Sequence, residues 1–170
     1  MQRDMIYWIL QDITREEKDA PMDDAYPRAV MEMTVTWGDC DIAGIHYYAR
    51  TFDWFTNARM HLMAVYGVPY IKTFFEQGLS LPVLKAECEF KRMLRPEEKI
   101  KVDTVLSELT RTRVKFTYKI YKENGELACE GATYHAFVDS AAGTPINAKK
   151  KHPALWEKMM ALWPVFERAE

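Results

Sequence analysis

Cysteine is sparse in this chain of 170 residues: Cys40, Cys88 and Cys129 stand far apart and form no C-x-x-C pair. An odd count without a framework excludes a disulfide scaffold and implies reduced thiols in a cytosolic compartment. The four histidines share no ligand spacing with each other or with the cysteines, so no metal is expected. Charge of one sign is also lacking. A formal net charge of -2 gives no electrostatic case for nucleic acid as a partner. Long apolar runs are absent too. The N-terminal stretch Met5 to Leu10 is too short to span a membrane and has no cleavage-like small residues after it. The expectation is a cytoplasmic protein with no membrane partner and no repeat or low-complexity tract.

The ordinary balance of 48% hydrophobic and 28% charged residues fits one folded domain with appended ends. We place an N-terminal extension over residues 1–28, a core domain over 29–140 and a C-terminal loop and helix over 141–170. Within the extension, Ile6, Ile9, Leu10 and Ile13 make a short amphipathic turn, followed by a charged, proline-bounded linker. Met31, Met33, Val35 and Trp37 alternate with polar residues, the pattern of a half-buried strand. From Ala49 to Tyr66 the spacing turns helical. Arg50, Asp53, Asn57 and His61 form a narrow polar stripe, opposite Phe52, Phe55, Leu62, Met63 and Tyr66, with Trp54, Ala58 and Val65 on a flank. A helix so widely apolar is largely enclosed. Gly67 and Pro69 end it. Four more alternating runs follow, near residues 84–91, 100–107, 113–120 and 127–138, the last two joined by an Asn124-Gly125 hairpin signal. One strand, a helix and four antiparallel strands make an α+β architecture with the helix on one face of a sheet. Ser140 to Pro153 reads as a polar loop, and Ala154 to Arg168 as a terminal helix that Pro164 kinks or ends.

Between the first strand and the helix lies Trp37-Gly38-Asp39-Cys40-Asp41-Ile42-Ala43-Gly44-Ile45-His46-Tyr47-Tyr48. Strand, acidic turn, glycine and helix start aim a carboxylate and unpaired backbone N–H groups at one point. Such donors, with the positive end of the helix dipole, suit an oxyanion or a thioester carbonyl. The two acids can activate water or attack an acyl group. Aspartate is also a common turn and N-cap residue, and D-x-D ahead of a helix serves local hydrogen bonding equally well. Cys40 inside the motif is a second, weaker nucleophile candidate.

The stretch WGDCDIAGIHYYARTFDWF resembles the signature D-x-D-x-x-G-x-x-x-Y of hotdog-fold thioesterases of the 4-hydroxybenzoyl-CoA thioesterase type. The resemblance extends from about Met31 to about Val138. It implies a long central helix wrapped by a five-stranded antiparallel sheet, and an acyl-CoA thioesterase working as a homodimer or homotetramer with its site between subunits. By position, Asp41 matches the catalytic carboxylate. Tyr48 carries the backbone N–H that polarises the carbonyl, and Gly44 allows close approach of the loop. Asp39 then shapes the loop, and His46 is a candidate for proton transfer. No cofactor is implied beyond the coenzyme A of the substrate. The family places the CoA nucleotide near the turn at Arg111 and Arg113 and the loop after the last strand, which makes these residues, with Lys149 and Lys150, phosphate candidates. Phe52 and Phe55 are candidates for the acyl pocket. Many relatives carry an acid where this chain has Thr56, which leaves the partner of Arg59, on the apolar side of the helix, undefined. Two alternatives remain: a thioesterase acting on acyl-carrier protein, and a non-catalytic acyl-CoA-binding protein of the same fold.

Overall fold

The structure is a computed structural model that describes residues 26–168; the expected amphipathic turn before residue 14 lies outside them. The chain runs β1 (Arg28–Thr34), α1 (Arg50–Val65), α2 (Tyr70–Thr73), β2 (Leu79–Ser80), β3 (Val83–Phe90), β4 (Lys99–Leu109), β5 (Arg113–Lys122), β6 (Leu127–Ala136), β7 (Val138–Asp139), β8 (Thr144–Pro145), α3 (Ala148–Lys151) and α4 (Pro153–Leu162). Five strands form one antiparallel sheet in the order β1-β4-β5-β6-β3. The expected α+β hotdog arrangement is what forms, with β1 and β3 as the sheet's edges.

Packing, rather than intrinsic propensity, holds α1 together. The helix contains Thr51, Thr56, Asn57 and His61, all mediocre helix formers, and its N-cap, Ala49, supplies no side-chain bond. Against this, Trp54, Phe55, Ala58, Leu62 and Met63 are all essentially buried. At roughly 1.5–3 kcal/mol for each large apolar side chain removed from water, their burial far outweighs the few tenths per residue lost in propensity. Phe55 lies flat on Tyr118 of β5, with ring centroids 4.1 Å apart. At the C-terminus Gly67 adopts φ 71°, and the Val68 N–H returns to the Met63 carbonyl at 2.9 Å. This left-handed closure carries the chain off the helix axis and buries Val68 completely. Lys158 of α4 reaches the same end, its Nζ donating to the Gly67 carbonyl at 3.1 Å.

Several local readings change. The first strand ends at Thr34, and Trp37 opens a 3-10 turn with its indole exposed and bonded to Glu97 at 3.2 Å. The middle of β4 is buried on both faces rather than one: Asp103, on the outer side, is covered by a bidentate pair with Arg28 at 2.7 and 2.6 Å. Ser140 to Pro153 is not simply a loop. It holds β8 and α3, and β2, β7 and β8 form a second, three-stranded sheet of two-residue strands, too short to show a period. Val65, expected on the buried flank of α1, is exposed. The terminal helix stops at Leu162, and a 3-10 turn over Pro164–Arg168 follows, as a proline there requires.

Gly131 of β6 lies under α1 and opposite Cys88 of β3. A Cβ at this position would sit 2.8 Å from the Phe55 ring and 3.1 Å from the Cys88 Cα, and would collide with the Glu87 carbonyl. Gly131→Ala is therefore expected to destabilise the fold by about 1–3 kcal/mol in denaturant unfolding. Gly38→Ala, whose nearest new contact is an ordinary 3.7 Å, is expected to change it far less.

Candidate active site

The two aspartates of the motif do different work. Asp39 ties the loop to itself: its Oδ2 accepts from the Thr36 N–H at 2.8 Å and the Thr36 hydroxyl at 2.6 Å. Its carbonyl takes the Tyr47 N–H at 2.8 Å, closing the loop's neck, and Cys40 and His46 pair as an isolated bridge beside it. Asp41 sits at the exposed tip. Its Oδ1 accepts the Ala43 N–H at 2.8 Å and its carbonyl the Gly44 N–H at 3.0 Å. Gly44 takes φ 71°, so a glycine is required here by backbone conformation; its two chain neighbours apart, no atom of the described residues lies within 4 Å of where its Cβ would be. Asp41 Oδ2 accepts no hydrogen bond from any described residue, leaving one carboxylate oxygen turned to solvent.

Behind the loop, α1 begins without a cap. Arg50, Thr51 and Phe52 donate back to the carbonyls of Tyr47, Tyr48 and Ala49, while the N–H groups of Tyr48 and Ala49 have no acceptor among the described residues. Two free amides at the positive end of a buried helix dipole are donors of the kind that suit an oxyanion. The Tyr48 ring is exposed and packs on Tyr47 at 4.7 Å. Trp37, Ile42, Tyr47, Phe90 and Met93 are further exposed apolar side chains of the loop and of the β3 end near it.

His46 is not at the surface with Asp41. It is 7% exposed, stacked on Trp54 at 5.3 Å, and its Nε2 lies 3.2 Å from the Thr51 hydroxyl in the first turn of α1. Phe52 is half-buried, and Phe55 is wholly enclosed by the core. Cys40 is a poor nucleophile: partial burial, and then the flanking charges of Asp39 and Asp41, push its thiol up. Among the described residues, no cluster of His, Cys, Asp and Glu is arranged to hold a metal ion.

The basic candidates do gather, but elsewhere. The Ala148 N–H donates to the Arg111 carbonyl at 2.7 Å, which brings α3, with exposed Lys149 and Lys150, against the turn carrying exposed Arg111 and Arg113. Asn147 caps α3 by accepting the Lys150 N–H at 3.1 Å. The acidic loop follows β1, whose Thr34 pairs with Lys99 at the start of β4, whereas Arg111 follows the end of β4. Eleven residues of strand separate the two, about 34 Å. One chain therefore does not join the carboxylate to the basic cluster.

Arg59 finds neutral partners. Its Nη1 lies 2.7 Å from His135 Nε2, and its guanidinium stands over the Phe116 ring at 5.9 Å. His135 Nδ1 lies 3.0 Å from the Leu81 carbonyl, so it carries the ring proton and leaves Nε2 as the acceptor for Arg59. The Thr133 hydroxyl is 2.9 Å from the same Nε2, and Tyr118 OH is 2.8 Å from that hydroxyl. Burial pushes Arg59 down from its ordinary value, and burial followed by the Arg59 charge pushes His135 down to about 4.

Comparison with known proteins adds to this geometry. The family described as "Thioesterase-like superfamily" matches residues 35–163. A 1,4-dihydroxy-2-naphthoyl-CoA hydrolase of Thermosynechococcus vestitus is 28% identical over 104 residues, 61% of this chain and 71% of that protein. Among solved structures, the DHNA-CoA thioesterase of Staphylococcus aureus superposes with a TM-score of 0.76 at 24% identity, over 84% of this chain and 95% of that one. A variant of 4-hydroxybenzoyl CoA thioesterase bound to 4-hydroxybenzoyl CoA superposes with a TM-score of 0.66 at 18% identity, over 76% and 98%. At these identities the two structures report on the fold.

The Arg59–His135 contact makes a pH prediction. His135 titrates near 6.5 when unfolded and about 4 when folded, so below 6.5 the unfolded chain binds a proton that the folded chain refuses. Its share of stability is complete above pH 6.5 and declines as pH falls toward 4, by an amount on the order of 3 kcal/mol. Denaturant unfolding across this window should show that slope, and His135→Gln should flatten it.

Proposed function

The chain belongs to the thioesterase-like superfamily, thioester hydrolases of the hotdog fold, and from that premise we propose that Asp41 cleaves an acyl-CoA thioester at the mouth of α1. The supporting observation is the pairing of an exposed carboxylate, one oxygen unengaged, with the unsatisfied amides of Tyr48 and Ala49. The thioester oxygen accepts from those amides, which stabilise the charge that develops as the carbonyl carbon becomes tetrahedral. Asp41 either attacks that carbon, forming an anhydride that water then opens, or removes a proton from the attacking water. In both routes the C–S bond breaks and the coenzyme A thiolate takes up a proton from the water consumed. Asp39 has a supporting part, since its carboxylate is engaged by Thr36. His46 acts from behind, by holding Thr51, rather than by touching substrate.

The site is completed by a second copy. β3 is a sheet edge exposing Val83, Leu84 and Phe90, and a two-fold axis beside it would pair β3 with its symmetry mate antiparallel. That pairing sets the Phe90 end of one copy beside the Val83 end of the other. The Val83 end adjoins His135, near the close of β6, and Arg113 pairs with Ala136 there. The partner's basic turn thus comes toward this copy's acidic loop, offering Arg111, Arg113, Lys149 and Lys150 to the nucleotide phosphates. This favours coenzyme A over a carrier protein as the thiol.

A thiol-release assay over short, long, benzoyl-type and naphthoyl-type acyl-CoAs tests both parts. Asp41→Asn is expected to lower kcat/KM at least a hundredfold with folding intact; an unchanged rate removes Asp41 from the chemistry. Arg113→Ala is expected to raise KM several-fold at near-constant kcat, the signature of lost ground-state binding.

A further inference from the structure

The inner face of the sheet is only partly roofed by its own helix. α1 lies chiefly over β1 and β4. Ala86, Cys88 and Phe90 of β3 share the face of Gly131, beneath α1, yet Ala86 and Phe90 are exposed and Cys88 is half-buried. A trough therefore runs between the flank of α1 and the β3 edge. Thr56, exposed one turn before Arg59, stands on that open flank. At the trough's inner margin Arg59 lies over His135 of β6, with Nη1 and Nε2 2.7 Å apart. The groups it meets, His135, the Phe116 ring and, through Thr133, the Tyr118 hydroxyl, are all neutral. Among the described residues no carboxylate pairs with its charge, and N–H groups of the guanidinium fork are left over. Arg59 is 8% exposed, and none of its nitrogens is both sealed and without an acceptor, so the spare donors are the ones that solvent touches. His135 and Phe116 cover the guanidinium from the sheet, which leaves the trough as the open side.

We propose that Arg59 sets the acyl specificity of the other copy's site, by pairing with a carboxylate at the far end of the acyl group. This rests on the acyl-CoA and two-copy reading above. Arg59 is too far down α1 to serve its own site: at 1.5 Å per residue the helix from Ala49 to Arg59 rises roughly 15 Å. The two-fold pairing of β3 gives a shorter path. It sets the Phe90 end of one copy, with its His46 and helix mouth, beside the Val83 end of the other. Val83 in turn pairs with His135, the residue that Arg59 contacts. Two strand spacings, roughly 10 Å, then separate the edge strand at one copy's helix mouth from the strand under the other copy's Arg59. A short acyl group spans that gap with its thioester oxygen on the amides of Tyr48 and Ala49. The fork takes a carboxylate in two parallel bonds, and the closed trough keeps water from competing for it. An alkyl end would leave the same guanidinium desolvated and uncompensated. The substrate class is thus the coenzyme A monothioester of a dicarboxylic acid.

Two matched pairs of thioesters test this on the full-length protein: adipoyl-CoA against hexanoyl-CoA, and 4-carboxybenzoyl-CoA against 4-methylbenzoyl-CoA. Wild type is expected to favour the carboxylate member of at least one pair tenfold or more in kcat/KM. Arg59→Met should bring that ratio to one or below. Arg59→Lys, which keeps the charge without the fork, should retain only part of it, and it carries the test if the methionine variant does not fold. A mixed dimer with Asp41→Asn in one copy and Arg59→Met in the other locates the contact. Across copies it rebuilds one intact site, so the wild-type ratio returns; within a copy it rebuilds none. Calorimetric binding of the same thioesters to Asp41→Asn protein reads the preference without turnover. A preference there, with no hydrolysis by wild type, removes the esterase reading and upholds this one; hydrolysis without preference does the reverse. The proposal is overturned if wild type shows no preference in either pair, if Arg59→Met preserves the ratio, or if the mixed dimer fails to restore it.

Discussion

Enclosure of α1 by the sheet is the constraint from which the rest follows. A helix with an alanine at its N-cap and several poor helix formers persists because Trp54, Phe55, Leu62 and Met63 have nowhere else to go. Since packing secures the helix, its first turn is free to leave backbone donors without partners. The site is therefore a by-product of where the core invests its apolar area. The acidic loop is likewise secured from within, by Asp39, which leaves one carboxylate oxygen of Asp41 unengaged at the tip.

The sequence carried much of this, and its failures have physical causes. Period-two alternation located all five long strands and helical spacing located α1, because each spans enough residues for its period to register. The exposed stripe Arg50, Asp53, Asn57 and His61 appears where the spacing places it. Trp37 misled because alternation continues past the point where the Thr36–Asp39 bonds turn the chain. Asp103 misled because a charged residue reads as exposed, and only its pairing with Arg28, distant in sequence, covers it. At the site, the motif's order gave Asp41 and the helix start. It could not give the depth of His46 or the enclosure of Phe55, which depend on tertiary stacking against Trp54 and Tyr118. The partner of Arg59 was beyond spacing alone, since His135 lies 76 residues away on another strand.

Topology also explains why one chain is insufficient for the proposed chemistry. The acidic loop and the basic turn occupy opposite ends of the sheet, a consequence of β4 running its full length between them. An antiparallel two-fold relation is the simplest operation that reverses one end onto the other, and the proposed assembly makes it through the β3 edge. Arg59, by contrast, is held inside one chain through neutral groups, so among the described residues its positive charge is carried by the interior without an acid beside it.

The contact of Lys158 with the Gly67 carbonyl has a further meaning. An ammonium group at the tail of α1 compensates the negative pole of that helix. At the head, Asp53 is engaged by Arg50, which also approaches Asp39, so local acidity does not cancel the positive pole. The axial field of the helix is thus quenched at one terminus and left standing at the other. An appendage lying outside the wrapped core, α4, in this way helps leave an unopposed positive pole some four helical turns distant.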